Sequence, residues 1–219
     1  MDSQPQIAWQ DGVPVSLRYD DPYYSLDDGL AESTYVFLDG NDLPARLRPG
    51  FHIVELGFGT GLNLILALRA ARAANALPLR YTGFEAHPLS PDDMRAALAA
   101  FPQLARDAET LVAWWAKGPH QKTAELEAHI ILGDAGESLP AWTGQADAWF
   151  LDGFAPARNP GLWTDDMMRE VARHTAPGGT VATYTAAGHV RRALADAGFA
   201  VTRRPGFGRK RHMTTGRME

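Results

Sequence analysis

Four acidic residues stand at or near the points where apolar runs stop. They are Glu55 after Ile53-Val54, Glu85 after Leu79-Arg-Tyr-Thr-Gly-Phe84, Asp134 after His129-Ile-Ile-Leu-Gly133, and Asp152 after Ala146-Asp-Ala-Trp-Phe-Leu151. Ligands of open α/β sheets bind beyond the carboxyl ends of the strands, so acids at these points are candidates for ligand contact. Glu55 leads into glycines at alternate positions, Gly57, Gly59 and Gly61, followed by the helical-looking Leu62-Asn-Leu-Ile-Leu-Ala-Leu68. Such glycines let the backbone turn sharply and let a ligand lie against main-chain N–H groups that a Cβ would block. A purely structural strand-to-helix connection would make the same turn. Asp152 sits where a strand gives way to the irregular Gly153-Phe-Ala-Pro-Ala-Arg-Asn-Pro160, and it is the best candidate for chemistry: a carboxylate there can bond a cationic group and accept its proton.

The spacing narrows the ligand. A dinucleotide fingerprint requires G-x-G-x-x-G, and position 62 is Leu, which disfavours a dehydrogenase. An acid before G-x-G-x-G is the usual opening of S-adenosylmethionine (SAM) methyltransferases, whose cofactor has no pyrophosphate. Glu85 lies 24 residues beyond Gly61, where an acid at the end of the second strand accepts ribose hydroxyls; otherwise it is a helix N-terminal charge. Asp134 ends the third strand, where such enzymes often hold the adenine amino group.

The positioning elements follow in order. Asp11-Gly12 between Ile7-Ala-Trp-Gln10 and Val13-Pro-Val-Ser-Leu17 signals a hairpin. Residues 20–37 are acidic and aromatic without a sustained period, which predicts a surface loop or a lid over a site. Helices are expected over 62–76, 91–100, 104–117, 162–174 and 187–197, with Trp114-Trp115 as packing residues. Strands are expected over 79–85, 129–134, 146–151 and 180–184, the last entered by a Pro177-Gly-Gly turn, and an antiparallel pair over 199–204 and 213–218 closes the domain. The alternation predicts an α/β, doubly wound, Rossmann-like fold with a mostly parallel sheet and an antiparallel C-terminal strand pair. Residues 1–50 form a hairpin and lid-like extension; residues 51–219 form the main domain.

Composition excludes several classes. The 219 residues are 45% apolar, enough for one domain with an ample core. No apolar run spans a bilayer and no signal peptide opens the chain, so a soluble, cytoplasmic protein is expected. The absence of cysteine removes disulfides and thiolate zinc sites, and the seven histidines show no ligand spacing and read mostly as surface or cap residues, so no metal is expected. The net charge of −5 hides an asymmetry: residues 1–50 hold nine acids against three arginines, and residues 191–219 hold eight basic residues against two acids. An anionic partner meets the C-terminal end first.

Longer phrases add a resemblance. Glu55-Leu-Gly-Phe-Gly-Thr-Gly-Leu-Asn63, Trp149 through Pro160, Pro177-Gly-Gly-Thr180 and Gly206-Phe-Gly-Arg-Lys-Arg211 closely resemble the methyltransferase domain of the MnmC family of tRNA 5-methylaminomethyl-2-thiouridine synthesis. Asp20-Asp-Pro-Tyr-Tyr-Ser25 and Gly29 through Phe37 are similar to that family too. The resemblance implies methyl transfer from SAM to the 5-aminomethyl amine of a wobble uridine in the anticodon stem-loop of tRNA. Many family members continue into an FAD-dependent oxidase domain; this chain ends at Glu219 and resembles a stand-alone methyltransferase. The chain also departs from the family around His87 and His212.

An alkyl ammonium must lose a proton before it attacks, and its lone pair must lie in line, roughly 3 to 3.5 Å from the methyl carbon. Asp152 either takes that proton or contacts only the cofactor's amino group, and Phe154 or Tyr23 walls the pocket. Glu55, Gly57, Gly59, Gly61, Asn63, Glu85, Asp134 and Asp152 are the expected cofactor contacts. Tyr23, Arg158, Phe207, Arg209, Lys210 and Arg211 are the expected substrate contacts, with the basic loop gripping phosphates. A methyltransferase of small molecules or proteins, with this loop a solvated hairpin tip, and a non-catalytic SAM-binding RNA partner remain the alternatives.

Overall fold

The computed structural model describes residues 5–219. Asp11 and Gly12, at φ 50° and 81°, turn the chain between β1 (Ile7–Gln10) and β2 (Val13–Ser16), as a two-residue hairpin demands. β3 (Asp21–Pro22) completes a small antiparallel sheet. Asp28 then caps α1 (Gly29–Ser33), accepting the Ala31 N–H at 2.9 Å, and wider helical turns continue through Leu38. Much of the stretch expected to be irregular is thus helical. Val36, Phe37 and Leu38 are buried in the core, and tertiary packing of such a short helix outweighs its weak sequence period.

This segment is tied to the sheet by polar contacts. The buried Asn41 amide donates to Phe37 O at 2.9 Å and Trp149 O at 3.2 Å, and its Oδ1 accepts the Thr180 hydroxyl at 2.6 Å. Arg46 donates to Asp147 O at 3.0 Å and Gly178 O at 3.2 Å.

The main body runs β4 (His52–Leu56), α2 (Leu62–Ala73), β5 (Leu79–Glu85), α3 (Pro91–Leu98), α4 (Ala105–Trp115), β6 (His120–Lys122), β7 (Leu126–Leu132), α5 (Ala135–Ala141), β8 (Ala146–Leu151), α6 (Asp165–Arg173), β9 (Thr175–Thr183), α7 (Gly188–Asp196), β10 (Phe199–Pro205) and β11 (His212–Met218). The eight-stranded sheet has the order β10-β11-β9-β8-β4-β5-β7-β6. Strands β7, β5, β4, β8 and β9 are parallel, whereas β6, β11 and β10 pair antiparallel at the two edges.

Both faces of the parallel strands are covered, so they read as apolar runs rather than alternations. Ile53, Tyr81, Ile130 and Phe150 pack in one core with α2, α3, α4 and the N-terminal segment. Val54, Phe84, Trp149 and Val181 pack in another with α5, α6 and α7. This is the doubly wound architecture expected. β6 and α5 are additions to it, and the Pro177-Gly-Gly segment lies inside β9 rather than before it, accommodated by a register irregularity opposite Ala146 and Ala148. His52 and His174 are buried; the His52 ring nitrogens are 2.7 Å from Gln145 O and 2.9 Å from Thr82 Oγ1. Among the described residues no helix is long and apolar enough to cross a membrane.

Candidate active site and cofactor cradle

The chain leaves β4 and β8 toward opposite halves of the sheet, and a crevice opens where their carboxyl ends diverge. A cavity of about 770 Å³ occupies it. The Asp152 N–H donates to Leu56 O at 2.9 Å, and a Cβ on Gly57 would sit 2.5 Å from the Asp152 carbonyl oxygen, so only glycine lets the strand ends approach this closely. Gly59 lies at φ +53°, with its Cβ direction toward the Tyr23 ring at 3.2 Å. Gly61 differs from expectation: a side chain there would strike Leu111 at 2.5 Å, so it serves core packing against α4 and does not line the cavity.

Glu85 joins two loops. Its Oε2 accepts the Gly59 N–H at 2.8 Å and its Oε1 accepts the His87 N–H at 2.7 Å, on the cavity wall. Burial raises its proton affinity, and the backbone donors pull the other way. Asp134 lines the same cavity and caps α5, accepting the Gly136 N–H at 2.7 Å.

Glu55 is fully buried and does not reach the cavity, a departure from its expected role as a cofactor contact. It accepts the Tyr81 hydroxyl at 2.6 Å and Asn63 Nδ2 at 2.7 Å; the same Nδ2 donates to Asp152 Oδ2 at 2.7 Å. One amide therefore links a hidden carboxyl to one in the cavity. The Asn63 Oδ1 is buried with no partner, and such an acceptor calls for a donor. Burial, and then the neighbouring Asp152 charge, push Glu55 well above the usual carboxylate range. Desolvation pushes Asp152 up to about 8, against the opposing pull of Asn63 and Lys210 and with a further push from Glu32.

Aromatic rings wall the space beyond Asp152. Phe154 stacks on Tyr19 at 4.8 Å between centroids and meets Tyr23 edge-on at 5.1 Å. The loop carrying Phe154 is held from several sides: Tyr184 donates its hydroxyl to Gly153 O at 2.8 Å, Trp163 Nε1 donates to Phe154 O at 2.8 Å, and Asp21 accepts the Ala155 N–H at 2.8 Å. Sequence reasoning missed Tyr19, Asp21, Glu32 and Tyr184. Asp21 and Glu32 were signalled only by the acidic and aromatic composition of residues 20–37, and Tyr19 and Tyr184 lie outside that stretch with no signal of their own, since no spacing links Asp21 to Ala155 or Tyr184 to Gly153.

The basic loop divides. Lys210 lines the cavity, with Nζ 2.8 Å from Glu32 Oε1 and 4.4 Å above the Tyr184 ring and its side chain 46% exposed. Arg209 stays at the rim, its side chain 92% exposed and 3.6 Å from Asp27. Arg211 is exposed and in no ion pair among the described residues. Phe207 packs near Tyr35, 5.9 Å between centroids, and Arg158 pairs with Asp20 at 2.8 Å; neither lines the cavity.

Comparison with known proteins agrees with this fold. A family model described as S-adenosyl-L-methionine-dependent methyltransferase matches residues 102–219. The tRNA 5-methylaminomethyl-2-thiouridine biosynthesis bifunctional protein MnmC of Caulobacter sp. (strain K31) is 44% identical over 95% of this chain and 37% of its own length. The protein of the same description from Marinobacter nauticus is 43% identical over 97% of this chain and 36% of its own. The chain thus spans little more than a third of these relatives. The crystal structure of MNMC2 from Aquifex aeolicus superimposes with a TM-score of 0.81 at 26% identity, covering 98% of this chain and 70% of that one. TrmN from Thermus thermophilus, at 18% identity and a TM-score of 0.51, shares the fold.

Proposed function

This chain belongs to the S-adenosyl-L-methionine-dependent methyltransferases, and from that premise we propose that it methylates the amine of a 5-aminomethyl group on a (2-thio)uridine at the wobble position of tRNA. The residues present fit the cofactor. Gly59 offers approach space for a ligand, the two Glu85 oxygens keep lone pairs for ribose hydroxyls, and the unpartnered Asn63 Oδ1 suits an ammonium donor. Asp134 lies on the same wall for the adenine end. Bound there, S-adenosylmethionine supplies an electrophilic methyl carbon on its sulfonium.

The observation that carries the reading is Asp152, held by Asn63 on the floor of the cavity that the glycine turn also lines, with Phe154 beside it. A carboxyl whose proton affinity lies near neutrality bonds an incoming alkyl ammonium and removes its proton. Phe154, Tyr19 and Tyr23 offer flat apolar faces to an extruded base, and a wobble base in an anticodon loop costs only a few kcal/mol to draw out. The lid-like part of residues 1–50 closes the pocket, and Arg209 at the rim and the exposed Arg211 beyond it meet the phosphates. A cytoplasmic setting goes with this substrate. The test is incubation with the cofactor and aminomethylated or unmodified tRNA, followed by nucleoside analysis; methylaminomethyl product from the aminomethylated tRNA alone is expected.

One observation favours a second reading, methylation of a small molecule or protein. Arg209 and Lys210 are paired with Asp27 and Glu32, which reduces the net positive field at the mouth. Turnover that ignores competing tRNA would favour that reading.

A further inference from the structure

One wall of the cavity holds an opposite-charge pair that the reaction as described does not use. Lys210 comes from the β10–β11 loop and Glu32 from α1, and they meet at 2.8 Å with the Glu32 side chain only 10% exposed. The Tyr184 ring fixes the ammonium from below at 4.4 Å, and the hydroxyl of that tyrosine bonds the backbone of Gly153, next to Asp152. The Lys210 side chain is 46% exposed and keeps contact with solvent, yet its ammonium sits on a ring and a nearly buried carboxylate at the cavity wall. The arrangement places one positive and one negative charge on the wall of the cavity that Asp152 also lines.

We propose that Lys210 and Glu32 are positioning residues that set the proton occupancy of the amine site: the Lys210 charge disfavours a proton there, and the Glu32 charge holds Lys210 in place while opposing it. The inference rests on the amine-methylation reading. The proton step balances simply. The substrate R–NH₃⁺ gives one proton to the Asp152 carboxylate, leaving R–NH₂ and a neutral carboxyl, and the carboxyl then releases that proton to solvent. The site must lose one proton overall, and a nearby cation favours each state with fewer protons.

The other groups acting on Asp152 lie elsewhere around it. Asn63 donates to it from α2, Glu55 and Tyr81 stand behind that amide on β4 and β5, and Tyr184 follows β9. Lys210 lowers and Glu32 raises the proton affinity of Asp152, in keeping with this geometry.

The experiment uses charge variants of the full chain and two readouts. In single-turnover methylation of aminomethylated tRNA, the acidic limb of the pH–rate profile moves to higher pH in Lys210→Met, by roughly half a unit or more. Lys210→Arg restores it, and Glu32→Gln in the Lys210→Met background moves it back toward lower pH. In the cofactor-free protein, the carbon-13 carboxyl titration of Asp152, assigned with Asp152→Asn, shifts with the same signs. A merely structural latch predicts equal loss in both variants with unmoved midpoints, and midpoints that stay fixed or shift in one direction for both overturn the proposal. If the parent protein does not methylate aminomethylated tRNA, the functional reading fails while the carboxyl titration still decides the electrostatic one.

Discussion

The Gly59 amide donates to Glu85 Oε2 at 2.8 Å, so the turn after β4 and the acid at the end of β5 form a single unit. Its consequence is that cofactor contacts at either residue depend on the other. Glu85→Ala removes the acceptor for Gly59 and His87 as well as the carboxylate proposed to bond the ribose. Binding of S-adenosylmethionine should weaken by about 1–3 kcal/mol, and Gly59→Val, which puts bulk at φ +53°, should abolish it. Titration calorimetry checks both; NADH binding more tightly than S-adenosylmethionine would overturn the cofactor site.

Asp152→Asn keeps the size of the side chain but removes the base and the charge. Turnover at saturating cofactor is expected to fall by something like 10²-fold or more, with a much smaller change in cofactor affinity. Unchanged single-turnover rates would move the proton-accepting role elsewhere.

The same residue makes stability pH-dependent. Because desolvation lifts Asp152 from its ordinary 3.8 to about 8, the folded state holds a proton that the unfolded chain releases between those values. Its contribution is therefore present at low pH and is lost as pH rises through that window. Thermal melts should show Asp152→Asn gaining stability over the parent as pH rises from about 4 to about 8, the gap closing at the acid end. A gap that widens toward acid would contradict the assigned burial.

Two exposed arginines of the β10–β11 loop provide a test for RNA. The double variant Arg209→Ala/Arg211→Ala should weaken tRNA binding about equally for modified and unmodified RNA, and lower the slope of log affinity against log salt by roughly one unit or slightly more. Affinity measured across salt concentrations checks this, and a slope equal to that of the parent would leave the loop with no part in binding.

Asn41 tests how firmly the first fifty residues belong to the core. Asn41→Ala takes a donor from the Phe37 and Trp149 carbonyls and the acceptor from the Thr180 hydroxyl, which keeps only the Arg46 donor, and a loss of about 1–3 kcal/mol in one cooperative denaturant transition is expected. A separate early transition would show that the N-terminal segment unfolds on its own.

What the chain announces by local pattern, it forms. Covered strands must be continuous apolar runs and a hairpin needs φ > 0 at its turn, so β5, the Asp11-Gly12 turn, the glycine turn after β4 and the closing antiparallel pair were all legible without coordinates. So were the acids at strand ends, because the carboxyl edge of an open sheet is where chain direction alone delivers them. Burial and facing direction were not legible, since both depend on what another segment places opposite. Glu55 and Gly61 belong to the motif yet face the interior, because Tyr81, Asn63 and Leu111 fill the space behind them. Residues 29–38 are helical because the core takes up Val36, Phe37 and Leu38. Lys210 leans onto the cavity wall because Glu32, 178 positions earlier in the chain, supplies a nearly buried carboxylate, and no linear spacing encodes that encounter.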